Sequence, residues 1–404
     1  MIRNKKQSNS RFETRSSKGL SNKIKSWFLE PFSNTRLGHQ PDFVLLSVVA
    51  LLLFFGLLFL SSTSSSLAFE QRNQDVYFFV RQQITHGLLP GLLFFYLALR
   101  INYKVYQKFY FAFFAFSIVL LLLVFVPSLQ LTNATAKSWI NLGFFSFQTS
   151  EIVKLAFILF LAAWLDKIGP KIKYWKESLL PFLIFLGLIS VLIILQPDLG
   201  TLSIIILSSI AMYFVAGANW KQLLSIISLG LISLAVMVKA APYRINRFLA
   251  FLDPEKDPLG ISYQIRQALI AVGSGGWFGL GLGYSRQKFN YLPEPAGDSI
   301  FAIIAEEIGF IFSVLFILLF VVLMIRGFKI VREAPDNFAK LVALGIIIWL
   351  SSQIFINIAS IIGLLPLTGV PLPLVSLGGT NLLVTLLGIG ILANISKFTT
   401  INSR

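Results

Sequence analysis

Apolar residues run for about 20 positions at a time along this chain, the length a helix needs to cross a hydrocarbon core about 30 Å thick. Ten such runs fall near 43–62, 79–99, 109–127, 151–169, 178–196, 199–217, 222–241, 299–325, 340–362 and 380–398. Arg81, Gln82, Gln83 and His86 interrupt the second, and only Gln196, Pro197 and Asp198 part the fifth from the sixth. The pattern predicts an all-α polytopic membrane protein of about ten transmembrane helices. A large extracytoplasmic loop, 242–298, joins helices 7 and 8. Residues 1–41 read as a basic cytoplasmic tail with a surface-lying piece around 24–32, residues 42–398 as the membrane domain, and 399–404 as a cytoplasmic end. No internal repeat of the inverted-transporter kind is visible.

Composition sharpens this. Of 404 residues 56% are hydrophobic and 13% charged, about half the charge of a soluble domain. Cysteine is absent, which excludes disulfides and thiolate metal sites, and His39 and His86 are too far apart in sequence for a histidine-rich zinc site. A net charge of +16 fits cytoplasmic lysines facing anionic lipid better than nucleic acid. The short loops 100–108, 167–176, 221 and 326–340 hold most of the interior Lys and Arg, whereas 363–379 holds none. By that bias both termini lie inside and 242–298 outside.

Four polar features stand out. Glu151 and Lys154, three apart on one helix face, can pair; they either end the fourth span or serve function, as intramembrane ionisable groups do by default. Ser150 or Thr149 could cap that helix. Asp198 is either an N-cap or a site group. In the large loop, Tyr243, Arg244, Arg247, Gln264, Arg266 and Lys288 suit phosphate oxygens. The glycines from Gly273 to Gly283 lack nucleotide-fingerprint spacing and predict close backbone packing. Asp298 falls where the loop meets the eighth span, with Glu306 and Glu307 two turns deeper. It could cap that helix, but a carboxylate at the water interface is also what a general base acting on a lipid-borne substrate needs. The stretch 363–380, rich in proline and glycine and including Ser376, cannot be continuous helix. It predicts a loop partly re-entering the membrane, with Asn357 satisfying some of its backbone.

These motifs occur in a fixed order: KSWINLGFFSFQTSEIVK, QPDLGT, FLDP, the glycine-rich run with QK, LPE followed by DSIFAIIAEEIG, and GLLPLTGVPLPLVSLGG. In that order the chain resembles the SEDS family (shape, elongation, division and sporulation) from about Asp42 to Lys397. The serine-rich pattern at 60–68 leans to its FtsW branch rather than its RodA branch. Ala296, Gly297, Ser299, Thr149 and Leu377 depart from the family pattern.

The resemblance implies a peptidoglycan glycosyltransferase polymerising lipid II on the outer face of the bacterial cytoplasmic membrane, for division or shape. It also implies a class B penicillin-binding transpeptidase as partner, with other divisome or elongasome membrane proteins. The family's essential aspartate falls on Asp298, and its polar cavity residues fall on Glu151, Lys154 and Asp198. Because the donor carries a diphosphate-lipid leaving group, one base should suffice, in contrast to the two carboxylates of a glycosidase. Asp298 is that expected base. Arg244, Arg247 and Lys288, or a divalent cation (Mg2+ or Mn2+) near Asp298, would steady the departing diphosphate. Gln264 and Ser376 complete the expected substrate-binding set, and no organic cofactor is expected. The rival readings are a flippase for the lipid-linked precursor, which needs a polar path across the whole membrane, and a non-catalytic scaffold for the transpeptidase.

Overall fold

The computed structural model describes residues 39–72, 74–130, 138–143, 145–240, 251 and 262–399, with the side chains of 234–240 excepted. Most of the N-terminal tail, including 24–32, lies outside the described residues. So do Lys137, Tyr243, Arg244, Arg247 and residues 252–254 of the FLDP motif.

Each of the ten apolar runs carries helix. The first is α1 (Phe43–Gln71). The second is α2 (Phe78–Gln83), a π-helical turn (Ile84–Leu88) and α3 (Leu89–Arg100). A short α4 (Lys104–Lys108) precedes α5 (Tyr110–Leu123), and α6 (Thr149–Ile168) is the fourth run. The fifth is a π turn (Trp175–Leu179) with α7 (Leu180–Ile194). Then come α8 (Leu199–Val215) and α9 (Trp220–Ala240). After the large loop follow α11 (Ile300–Arg332), α12 (Asn337–Ile361) and α13 (Gly379–Ser396). Five of these helical stretches are long and apolar enough to cross a membrane by themselves: Phe43–Gln71, Trp175–Ile194, Ile300–Arg332, Asn337–Ile361 and Gly379–Ser396. The chain is a polytopic helical membrane protein.

Two elements were not in the apolar pattern. A small antiparallel hairpin, β1 (Trp139–Asn141) with β2 (Ser146–Gln148), pairs Ile140 with Phe147 and leads straight into α6. The large loop contains an amphipathic helix, α10 (Ser262–Ser274).

The buried centre is built on α6 and α12, which pack against each other and against α8 and α13. Small residues allow the approach, as is usual between helices in lipid. A Cβ on Gly390 would come to 2.7 Å from the carbonyl of Phe95, and one on Gly345 to 2.5 Å from Ile158. Trp349 of α12 is buried there beside Lys154 of α6 and Gly388 of α13, while Phe157 and Phe160 pack the other side of α6 against Phe114 of α5.

The glycine-rich run has a specific job. Helix α11 breaks at Gly309, whose φ of 74° and ψ of −178° are far from helical. The opened backbone pairs with the run: Leu280 and Gly281 donate to the carbonyls of Glu306 and Glu307, and Phe310 and Ile311 donate to those of Gly276 and Trp277, at 2.9–3.2 Å. A Cβ on Gly279 would sit 2.2 Å from the Glu307 carbonyl, and one on Gly309 2.2 Å from the Gly279 nitrogen. Only glycine fits at either place.

Candidate active site

Asp298 stands immediately before α11. The helix is capped at Ser299 without any side-chain cap bond, so Asp298 is not the cap its position allowed. Its Oδ1 accepts from Gln264 Nε2 of α10 at 3.2 Å and from the Ser299 hydroxyl at 3.3 Å. Among the described residues nothing bonds Oδ2. A Cβ on Gly369, in the 363–378 loop, would lie 3.9 Å from that oxygen. Burial, and then the charge of Glu294 beside it, push the Asp298 carboxyl from 3.8 up to about 6. A half-buried carboxylate with one free oxygen and an elevated pKa is equipped to take a proton near neutral pH.

Beneath it the proline-rich loop is held by amides. Asn357 Nδ2, as its position suggested, donates to the backbone carbonyls of Asp298 (2.7 Å) and Val370 (2.8 Å). Gln353 Nε2 donates to the Pro371 carbonyl at 2.9 Å. Gln83, from the polar half of the second run, donates to the Ser376 carbonyl and accepts from Gly378 N. Ser376 itself is buried; its hydroxyl accepts from Leu372 N at 2.8 Å and shapes the turn.

Glu151 and Lys154 form their expected pair, 2.9 Å apart, and both are almost wholly buried. Lys154 also donates to Gln353 Oε1 at 2.9 Å, and its ammonium lies 5.2 Å from the Trp349 ring centre. Asn381 of α13 donates to the other Glu151 oxygen at 2.8 Å. The pair is therefore enclosed, with α6, α12 and α13 each supplying a partner. Asp198 does cap α8, accepting from Thr201 N at 3.0 Å, and its second oxygen accepts from Ser150 (2.8 Å) and Gln148 (3.3 Å). Ser150 thus bonds Asp198 and does not cap α6, whose first turn has no side-chain cap.

Lys288 was expected among the groups that bind diphosphate, and the structure places it elsewhere. It is buried, and its ammonium donates to Glu307 (3.1 Å), the Ser62 hydroxyl (3.2 Å) and the Gly283 carbonyl (2.7 Å). An ammonium has three donors, and all three are used. Glu306, equally buried, accepts from the Ser285 hydroxyl and from the backbone N–H groups of Arg286 and Gln287. These two glutamates are staples that fix 283–291 against α11.

Of the residues singled out in the sequence, the structure brings together Asp298 with Gln264, and Glu151 with Lys154 as expected. The sequence reading missed Gln353, Asn381, Gln83 and Glu294. An amide inside an apolar run was the available signal for the first three.

Among the described residues no three His, Asp or Glu side chains gather as metal ligands. Asp298 with Glu294 offers two carboxylates. That fits a magnesium-like ion completed by water and substrate phosphate oxygens, not a cage built by protein alone.

Spanning helices around an enclosed polar centre, with a single elevated carboxylate at a loop–helix junction, define a polytopic membrane protein bearing a candidate catalytic base. Residues 43–401 match the FtsW/RodA/SpoVE family of cell cycle proteins, and the chain belongs to that family. It is 40% identical over 359 residues to stage V sporulation protein E of Bacillus subtilis (strain 168), covering 89% of this chain and 98% of that protein. It is 36% identical to a probable peptidoglycan glycosyltransferase FtsW of Geobacter sp. (strain M18), covering 88% and 96%. Among solved structures it is similar to a chain of a peptidoglycan synthase complex that coordinates polymerization and crosslinking (TM-score 0.71, 27% identity, covering 89% and 98%). It is also similar to the rod shape determining protein RodA of Thermus thermophilus (TM-score 0.66, 25% identity, covering 90% and 98%).

Proposed function

We infer that this protein is a peptidoglycan glycosyltransferase that polymerises lipid II on the outer face of the bacterial cytoplasmic membrane, in cell division or shape. Relatives named for that activity align along nearly nine-tenths of the chain. The observation that carries the assignment to a residue is Asp298: half-buried, elevated to about 6, and not engaged as a helix cap.

In this reading the Asp298 carboxylate takes the proton of the acceptor's 4-hydroxyl. The freed oxygen attacks the donor's anomeric carbon with inversion, and the bond to the lipid diphosphate breaks, its electron pair leaving with the phosphate. A pKa of about 6 leaves Asp298 ionised at neutral pH while keeping it more basic than an ordinary aspartate. Gln264 and Ser299 orient Oδ1, and Oδ2 remains for the proton. A divalent cation would be held by Asp298 and Glu294, and would supply positive charge to the diphosphate. With Lys288 fully paired, Arg244 and Arg247 remain of the three cations expected at the diphosphate. Lys154 acts as a positioning residue through Gln353, which holds the 363–378 loop; Glu151 holds Asn381 at the start of α13, and Asp198 holds Ser150 and Gln148 at the start of α6. The positive bias of the loops supports cytoplasmic termini. The similarity to a chain of a synthase complex supports a class B penicillin-binding protein as partner.

The flippase reading requires a continuous polar path. The buried charged side chains among the described residues are Glu151, Lys154, Lys288, Glu306 and Glu307, and each is bonded to the protein itself.

The test is polymerisation of purified lipid II in detergent, with the transpeptidase and a divalent cation present, by the unsubstituted protein and by Asp298→Asn. Polymer from the unsubstituted protein alone is the expected result. Polymer from a folded Asp298→Asn protein removes Asp298 as the base.

A further inference from the structure

Between the glycine-rich run and Asp298 lies a surface that the reaction scheme does not use. Residues 283–291 are fixed by the Glu306 and Glu307 staples, and on their outer side they surround a cavity of about 610 Å³. Its walls are Gly283, Tyr284, Ser285, Arg286, Gln287 and the rings of Phe289 and Tyr291. The three aromatic side chains are 56–74% exposed. The backbone between them is anchored: the Lys288 carbonyl accepts from the Ser66 hydroxyl at 2.7 Å.

The chemistry of this groove is not that of a lipid contact. Trp277, which packs edge-on against Phe310 at 5.5 Å, and Phe278 do not line the cavity. The groove alternates rings with a guanidinium, an amide and hydroxyls. Flat rings beside amide and guanidinium donors suit a pyranose, which offers an apolar C–H face and polar edges. Arg286 adds a partner for carboxylates carried on the sugars. Two hydrogen-bonded turns, Leu292 N to Gln287 O and Ser299 N to Glu294 O, lead from this wall to Asp298. Tyr291 and Asp298 are seven positions apart, a reach of at most about 25 Å even if extended.

We propose that this groove binds the glycan strand, a β-1,4-linked chain of N-acetylated, acidic aminosugars, close to the site of its synthesis. The proposal deepens the glycosyltransferase reading and rests on it for the identity of the strand. Because the walls are fixed beforehand, little ordering opposes binding. A growing strand held there would stay near Asp298 between couplings, so chain length would depend on it.

The experiment uses full-length protein in detergent carrying Asp298→Asn, so that nothing turns over, and a soluble hexamer of β-1,4-linked N-acetylglucosamine as probe. Saturation-transfer NMR and calorimetry read its binding. The expected result is hexamer binding that Tyr284→Ala and Tyr291→Ala each weaken about fivefold or more, the effect of losing one or two kcal/mol, and that Tyr284→Phe retains. With Asp298 restored, the alanine variants should yield shorter glycan from lipid II. No hexamer binding, or binding indifferent to both rings, overturns the proposal. So does a result in which the alanine variants alter only liposome partition or capture of the transpeptidase, because the groove then belongs to the bilayer or to a protein. Hexamer binding by a protein that makes no polymer in any form retains the groove and refutes the enzyme reading instead.

Discussion

Replacing Asp298 with Asn should make the folded protein more stable at neutral pH while abolishing its activity. The carboxyl is raised from 3.8 to about 6, first by burial and then by Glu294. Both causes penalise the charged form. At about 1.4 kcal/mol per pH unit, that difference of 2.2 amounts to roughly 3 kcal/mol against the ionised side chain. Since Asp298 still meets some solvent, roughly 1–2 kcal/mol is the better expectation. The sign follows from linkage. The folded pKa lies above the unfolded one, so the penalty is absent below about 3.8, where both states are protonated. It grows between 3.8 and about 6 and is complete above. An isosteric amide escapes it, keeps a carbonyl oxygen for Gln264, and should melt a few degrees higher than the unsubstituted protein at pH 8. The gap should close towards pH 4. Thermal unfolding in detergent, followed by fluorescence-detected size exclusion from pH 4 to 8, measures this. Equal melting at pH 8, or a higher value for the unsubstituted protein, would refute the reasoning: Asp298 would then be solvated or neutralised by a cation.

Other expectations follow from the same geometry. The rate of glycan formation should fall as pH drops through about 6, where Asp298 becomes protonated, and a flat profile between pH 5 and 8 would exclude this carboxyl as the base. Lys288→Met leaves Glu307 charged and buried without its partner, a loss of roughly 3–5 kcal/mol; adding Glu307→Gln should restore much of the melting temperature, and a double variant no better than the single one would remove the pair from the account. Gly279→Ala drives a methyl into the Glu307 carbonyl at 2.2 Å at a positive φ of 82°; it should expose the 275–291 segment to limited proteolysis, whereas Gly187→Ala, which meets no atom within 4 Å, should leave digestion unchanged.

The apolar pattern revealed all ten helical runs because lipid imposes one requirement on each, about 20 apolar residues with every backbone group paired internally. It also singled out Asp298 as a candidate, since two further carboxylates follow it two turns deeper into an apolar helix, and Asn357, because a proline-rich loop must find donors somewhere. It could not reveal the fate of Lys288. That depends on Glu307 being brought alongside by a helix break 21 residues further on, which itself depends on four backbone bonds to the glycine run. The hairpin before α6 was hidden because three-residue strands leave almost no alternation to read. Gln353 and Asn381 sit singly within apolar helices, and only the fold shows that they close the Glu151–Lys154 pair.

Why such a chain buries an ion pair at all is answered by what the pair touches. Replacing it with leucines of similar size could well leave stability unchanged or improved, as buried pairs elsewhere do. Its role here lies in geometry: Lys154 fixes Gln353, Gln353 holds the Pro371 carbonyl, and the loop so held places Gly369 against Asp298. Glu151 holds Asn381 at the start of α13, two residues beyond the Gly378–Gly379 turn that ends the same loop. A Glu151→Leu, Lys154→Leu protein should therefore melt near the normal temperature yet lose most of its glycan synthesis, with Asp298 present but its opposing wall displaced. Folding lost along with activity would make the pair a stabilising element only. Full activity in the double variant would show that the 363–378 loop finds its place without it.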